Sequence, residues 1–463
     1  MVKAVYFLKK GILEYNKLGA EKILSIGFAL IILLGAFLLH LPISSASGST
    51  IGWLAAFFTS TSATCVTGLS VLDISHSFSL FGKVVILGLV QVGGIGFMML
   101  GTLIMILIGK RISLKNRLLI RDAFNTGSLS GVVRLYRKGF TYTILIELIG
   151  AFILAIRFVP MYGWVRGAGF SFFHSISAFC NAGFDLFGNN MSLIGFASDP
   201  LVLLTISALI VLGGLGFLVM DDMLQKKFVI RRCSLHTKIV LMMTVLLIVL
   251  GTVLLMITEY HNAALWHGQP KGFFSKLLNL FFQSISLRTA GFTSIDLETV
   301  SNAGKIMSSI WMFTGASPAS TGGGIKTTTM FLLLLQTWHE IRGDNNELAI
   351  FHKQISKRQS ARAVATIIVS FTILVFSSWL ISAFEAGTRT PFIDIFYDTV
   401  SAIGTVGLAS VSVSQLSNPS LIVLILVMFF GRVGPLTIAF AMGNRPQKSG
   451  TRIQYPEERI LIG

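Results

Sequence analysis

Residues 57–69 read FFTSTSATCVTGL, residues 172–184 FFHSISAFCNAGF, residues 281–292 FFQSISLRTAGF and residues 396–408 FYDTVSAIGTVGL. Each stretch starts with an aromatic pair, passes a serine a few residues later, and ends in two residues, a glycine and a large apolar residue. A single copy would read as a helix-packing face followed by an ordinary turn glycine. Four copies in one chain are an internal repeat, and a repeat decides the fold before any single element does. The third copy is one residue shorter between Ser286 and Gly291, so its helix or turn has to absorb a deletion.

Outward from these stretches, each is flanked by apolar runs. Residues 20–41, 139–159, 239–258 and 363–384 precede them, and residues 80–109, 199–220, 303–337 and 419–443 follow. Roughly 20 apolar residues cross a hydrocarbon core, whereas the middle stretches, about 12 residues each, are too short to span. The expected fold is therefore an all-α integral membrane protein of four parallel units, each a span, a re-entrant pore loop and a span (M1-P-M2), around one pseudo-fourfold pore. Composition agrees: 53% of the 463 residues are hydrophobic and 12% charged, against about 25% charged in soluble domains. The first run reads as a span, because a cleaved signal peptide would leave the later runs unexplained.

The net charge of +17 would suggest nucleic acid in a soluble protein. Its distribution says otherwise, because 27 of the 37 Lys and Arg fall within residues 1–22, 110–138, 221–238, 338–362 and 444–463. By the positive-inside rule these segments and both termini face the cytoplasm, and the partner is the lipid bilayer, with no nucleic acid. The expected organisation is a cytoplasmic N-terminus 1–19, repeat 1 at 20–109, a basic linker 110–138, repeat 2 at 139–220 and a basic linker 221–238. Repeat 3 follows at 239–337, then a linker 338–362, repeat 4 at 363–443 and a C-terminal tail 444–463. Between the basic segments lie Asp73, Asp185, Asp199, Glu259, Asp296, Glu298, Glu385, Asp394 and Asp398, which predicts a cation-attracting outer face. Cys65, Cys180 and Cys233 form no CxxC and have no histidine at metal spacing, so neither a disulfide framework nor a zinc site is expected.

Backbone that is not helical at membrane depth is tolerated only where protein buries it or where it lines a water-filled cavity. Four such turns on one axis would line a pore. A cation leaving water exchanges its hydration shell for other oxygens, and stacked carbonyls supply them in potassium-selective filters. Aligning those carbonyls takes unusual dihedrals, for which glycine is suited, hence Gly68, Gly183, Gly291 and Gly407. Short helices predicted at 52–63, 168–179, 272–286 and 391–402 would aim their negative C-terminal ends at the pore centre, which favours a cation.

The second span of repeat 3 is interrupted by GASPASTGGGIKT, residues 315–327. Gly and Pro cost roughly 1 and 3 kcal/mol each in a helix interior, so Gly315, Ala316, Ser317, Pro318, Gly322, Gly323 and Gly324 should leave the helix and sit in the aqueous path. GGGIKT is no P-loop, since Ile325 separates Gly324 from Lys326. Gly93, Gly94 and Gly96, echoed at Gly213, Gly214 and Gly216, lack the third glycine and βαβ context of a dinucleotide fold and are read as close-packing positions. Lys326 in the loop and Arg432 in the last span are intramembrane charges, which are functional candidates by default. A cation beneath the filter would repel ions when the path is shut, and Arg432 would hold the loop by its carbonyls. Glu147 is read as mainly structural. The chain carries no Ser/His/Asp, HExxH or paired-carboxylate constellation, so no enzyme is expected.

The segments CVTGL, CNAGF, RTAGF and GTVGL resemble the four filter segments of the Ktr/Trk/HKT superfamily of potassium transporters, and the whole chain is similar to its bacterial KtrB-type membrane subunit. The resemblance implies filter triplets at Val66, Thr67 and Gly68; Asn181, Ala182 and Gly183; Thr289, Ala290 and Gly291; and Thr405, Val406 and Gly407. It also implies K+ coordination by their backbone carbonyls, a gating loop at 315–327, a homodimer in the bacterial cell membrane, and a cytosolic nucleotide-binding ring of the KtrA type. No cofactor is implied. Gly68 goes with potassium selectivity in the family, and the single glycine per unit makes sodium passage or sodium dependence an expectation as well. Channel-like translocation is the first reading and an alternating-access secondary transporter the alternative. All four units begin and end on the basic side, which makes the repeats parallel where alternating-access folds commonly invert them.

Overall fold

In the computed structural model, residues 20–96, 132–189, 191–269, 272–343, 349–350, 353–388 and 390–442 are described. The expected segments 1–19 and 444–463 and most of the linker 110–138 lie outside them. Four long helices follow from the four leading apolar runs: α1 (Ala20–His40), α4 (Val132–Tyr162), α8 (Leu235–Glu259) and α12 (Lys357–Phe384). All four contain stretches long and apolar enough to cross a membrane. Their outward faces are apolar, as at Leu30, Leu33, Leu34 and Phe37 on α1, which suits helices whose outer solvent is lipid.

The repeat motif forms four short helices: α2 (Trp53–Cys65), α5 (Trp164–Phe179), α9 (Phe273–Ser286) and α13 (Phe392–Gly404). The aromatic pair sets their rotation. Its second member is buried in every copy, at Phe58, Phe173, Phe282 and Tyr397, while Phe172 from a first position is 49% exposed. In three repeats the serine two residues past the aromatic pair ties the short helix to the long one. Ser60, Ser175 and Ser284 donate to the carbonyls of Ile32, Glu147 and Ile248 at 2.6–2.9 Å. One turn further along each long helix stands a glycine, Gly35, Gly150 or Gly251, against the same hydroxyl, with no room for a Cβ. In repeat 4 the corresponding Thr399 turns back to Ile395 of its own helix.

The second spans differ from expectation. The runs predicted at 80–109, 199–220, 303–337 and 419–443 are not continuous helices. They form α3 (Leu80–Ile95), α6 (Pro200–Leu215) with α7 (Phe217–Gln225), α10 (Asn302–Phe313) with α11 (Thr327–Ile341), and α14 (Asn418–Val433) with α15 (Pro435–Met442). Three breaks fall on single glycines with positive φ, Gly96 at 88°, Gly216 at 92° and Gly434 at 92°, where other residues would be strained. The bend between α6 and α7 is 93°. Gly93 and Gly213 do pack closely, as read from the sequence: each abuts a carbonyl at the end of its own repeat's short helix, Thr64 and Phe179. A small antiparallel pair, β1 (Ala349–Ile350) with β2 (Lys353–Gln354), joins α11 to α12.

Each repeat leans on the next. The second-span helix α3 packs on α5, α6 on α9, α10 on α13, and α14 back on α2, so the four units close into a ring in chain order. The close approach at Gly93 gives a test. Gly93→Ala places a Cβ against the Thr64 backbone and should destabilise the protein by roughly 1–3 kcal/mol. Gly88→Ala on the same helix meets nothing within 4 Å and should be neutral or stabilising. Thermal midpoints in detergent that fall equally for both would refute this packing.

Candidate functional site

The four short helices end at one place. Past each of them the first triplet residue takes a left-handed conformation: Val66 at φ 57°, Asn181 at 58°, Thr289 at 69° and Thr405 at 52°. The glycine two residues on is left-handed as well, at 97°, 69°, 79° and 95° for Gly68, Gly183, Gly291 and Gly407, while the middle residue is not. Non-glycine residues at positive φ cost about 1 kcal/mol or more, and the same cost recurs at the same position in all four repeats. The glycines face one another in chain order. A Cβ built on Gly68 would lie 2.5 Å from the Ala182 carbonyl oxygen, one on Gly183 2.8 Å from Gly291 Cα, and one on Gly291 2.5 Å from the Val406 oxygen. At Gly407 it would overlap the Thr67 carbonyl, which closes the ring.

A residue not singled out in the sequence holds this shape. The second serine of the motif, Ser62, Ser177, Ser286 or Ser401, takes the middle N–H of the triplet on its carbonyl, at 2.8, 2.7, 3.0 and 2.8 Å. Its hydroxyl then braces the strand. Ser62 and Ser401 accept from the N–H of Gly68 and Gly407 at 3.1 and 3.0 Å. Ser177 donates to the Phe184 carbonyl at 2.8 Å and Ser286 to that of Phe292. The signal lay in the sequence, since a serine stands at this point in every copy. The deletion in repeat 3 is absorbed here: the closing hydrogen bond joins residues four apart, Ala290 and Ser286, where the others join residues five apart.

Directly beneath the triplets lies the loop between Thr314 and Lys326, within one residue of the predicted 315–327. A Cβ on Gly322 would overlap the Thr289 hydroxyl, and one on Gly323 the Thr405 hydroxyl. Gly315 abuts Gly324, and its N–H donates to Ile325 at 2.8 Å. Ala316 donates to Gly323 and Ser317 to Gly214. The carbonyl of Pro318 abuts Gly216. The Lys326 ammonium donates to the carbonyls of Gly322 at 2.8 Å and Gly323 at 3.5 Å. The Arg432 guanidinium donates to Thr321 of the loop at 2.5 Å, to Gly94 at 3.3 Å and to Gly93. Hydrogen bonds from charged donors are worth about 1.5–3 kcal/mol each, so Arg432 staples the loop of repeat 3 to the broken span of repeat 1.

Arg288 is a third cation of this region and is buried beside the first triplet residue of repeat 3; its Nη2 donates to Thr244 at 3.4 Å and its Nε has no partner among the described residues. Glu147 stands behind the repeat 2 filter, accepting from Gln91 at 3.1 Å and within 3.8 Å of the Cys180 sulfur. Eight of the acids expected on the outer face are engaged in the structure. Asp73, Asp185, Asp199, Glu259, Asp296, Glu385 and Asp398 accept from backbone N–H groups, and Asp394 pairs with buried Lys305 at 2.7 Å. Burial raises the Asp185 carboxyl, in the outer loop, to about 6, with the N–H of Phe187 opposing and the Asp73 charge adding.

Residues 28–451 match the family model described as TrkH, cation transport protein. The chain is 38% identical to the Ktr system potassium uptake protein B of Bacillus subtilis, over 98% of this chain and 99% of that one. It is 37% identical to the potassium/sodium uptake protein NtpJ of Enterococcus hirae, over 97% and 98%. The crystal structure of the potassium transporter TrkH from Vibrio parahaemolyticus superposes with a TM-score of 0.70 at 17% identity, covering 91% of this chain and 85% of that one; this likeness is one of fold.

Ser62→Ala and Ser401→Ala each leave a buried N–H of the glycine ring unpaired, a cost of about 1–3 kcal/mol. Both should lower the ratio of rubidium to sodium flux in proteoliposomes, with Ser→Thr retaining it. Wild-type ratios in both alanine variants would show that the hydroxyl does not hold the ring's shape.

Proposed function

This chain belongs to the TrkH family of cation transport proteins, and we propose that it is the potassium-translocating membrane subunit of a regulated uptake system. The observation that carries the reading is the ring of left-handed glycines at 68, 183, 291 and 407, closed in chain order at the negative ends of four short helices. Carbonyls of Val66, Thr67 and Gly68 and their counterparts replace the hydration shell of K+, and the helix ends disfavour anions. Ring closure among parallel repeats supports a channel-like path in which the ion moves while the walls stay fixed.

The gate in this proposal is the loop from Gly315 to Lys326. It sits under the filter with Gly322 and Gly323 against filter residues, held by Arg432, and its two neighbouring cations repel K+ while it is in place. Regulation then requires a partner that binds the loop-in and loop-out states with different affinity. A cytosolic nucleotide-binding ring of the KtrA type, docked on the basic linkers and on tail 444–463, fits that role, and the "Ktr system" name of the Bacillus relative supports partner subunits. A homodimer in the bacterial cell membrane with both termini cytoplasmic completes the proposal. The potassium/sodium name of the Enterococcus relative supports sodium as a second permeant or coupled ion.

Two variants test it in a transport-deficient bacterium. Gly68→Ser puts a Cβ at a φ of 97° and 2.5 Å from the Ala182 oxygen, so it should cut potassium-over-sodium uptake; an unchanged ratio there and in the other three glycine variants would overturn the filter. Deleting Gly322 to Gly324 should raise flux and free it from the partner. Wild-type flux with intact regulation in the deletion would show that the loop is not the gate.

A further inference from the structure

At three of the four corners the first filter residue carries a side-chain oxygen: Asn181, Thr289 and Thr405, with Val66 at the fourth. All four are fully buried. In the orientation that satisfies both ends of its amide, Asn181 donates to Ile210 at 3.2 Å and Ala178 at 3.1 Å, and its Oδ1 accepts from the Thr289 hydroxyl at 3.2 Å. The Thr405 hydroxyl has no partner among the described residues. A buried hydroxyl left unpaired is unfavourable, and a valine at 405 would fill the same space without it. What covers this layer is the loop. Gly322 sits on the Thr289 hydroxyl with its missing Cβ 3.3 Å from the Asn181 amide, and Gly323 sits on the Thr405 hydroxyl, its missing Cβ 3.0 Å from Cγ2. The Lys326 ammonium is bound to those same two glycines.

We propose that Asn181 Oδ1, Thr289 Oγ1 and Thr405 Oγ1 form an inner subsite for a monovalent alkali cation, one layer deeper than the backbone filter, which Gly322 and Gly323 occupy when the loop is in place. The inference rests on the pore reading and adds a side-chain site to it. The donor set is neutral oxygen, suited to an alkali ion partly stripped of water. Val66 contributes no oxygen, so water from below completes the shell. Because Lys326 is fixed to the covering glycines, its positive charge leaves with them. Loop and ion therefore exclude each other, and by linkage a cation in the subsite favours the withdrawn loop.

The test uses the full chain in proteoliposomes loaded with rubidium, measuring efflux against internal rubidium concentration. Thr289→Val with Thr405→Val should raise the half-saturating internal concentration at least fivefold. The two Thr→Ser changes should restore the wild-type value. The shift should persist when Gly322 to Gly324 are deleted, since no loop then covers the site. If the double variant fails to assemble, Thr405→Val alone, which breaks no hydrogen bond of the described residues, should still shift it at least twofold. Unchanged half-saturation in the valine variants, while Gly68→Ser alters the ion ratio, would overturn the subsite and leave the filter standing. An unchanged ratio in Gly68→Ser would instead overturn the pore reading beneath it.

Discussion

Every polar backbone group that leaves a helix within the membrane needs a partner from the protein itself, and the centre of this molecule is built around that requirement. Each filter strand leaves its short helix and is met by one serine, whose carbonyl takes one N–H and whose hydroxyl takes or supplies another bond. The second spans break on glycine, which uncovers carbonyls at Gly93, Gly94, Gly213, Gly214 and Gly431. Those carbonyls are taken by the loop of repeat 3 and by Arg432: Ser317 donates to Gly214, Thr321 to Gly213 and Gly324 to Gly431, while Arg432 reaches Gly93 and Gly94. In return, the N–H of Phe217 after the Gly216 break donates to Ala319 of the loop at 2.9 Å. The loop thus caps the broken spans of repeats 2 and 4, while Arg432 caps that of repeat 1.

This mutual capping explains why the two cations beneath the filter are tolerated. An isolated charge at membrane depth is expensive, but Arg432 and Lys326 each find carbonyls that the broken helices and the loop leave exposed. Neither is paired to a carboxylate among the described residues. The lysine holds the loop's own glycines, and the arginine holds the loop to its neighbours.

Much of this was legible from the chain because the repeat is periodic. The four short helices fall within about four residues of their predicted bounds at each end, and the loop within one residue, since Gly and Pro at membrane depth leave few alternatives. What the sequence concealed was decided by three-dimensional closure. Gly96, Gly216 and Gly434 look like packing glycines inside long apolar runs, and only their positive φ shows that they end helices. The bracing serines sit beside the filter motif, yet their role depends on a turn of five residues that no helical period predicts. The outer acids read as free charge, whereas the fold uses most of them as caps on helix and turn N–H groups; Glu385 accepts from Ser417 and Ser420 at the start of α14.

Repeat 3 departs from its siblings in a consistent direction. It has the deleted filter residue, a closing bond between residues four apart instead of five, an arginine where repeats 1 and 2 have Cys65 and Cys180, and, among the described residues, the longest break in its second span. In repeats 1 and 2 the residue before the triplet lies against a well-packed second span, as Cys180 does against Gly94. In repeat 3 the second span leaves the helix at Thr314, and the loop that follows sets Gly322 against Thr289, the first residue of its own repeat's triplet. A fourfold ring of identical units would offer no such place, because each wall would be as firmly packed as the next. Breaking the symmetry in one repeat gives the proposed gate a single quadrant, with the other three walls left to hold the glycine ring in shape.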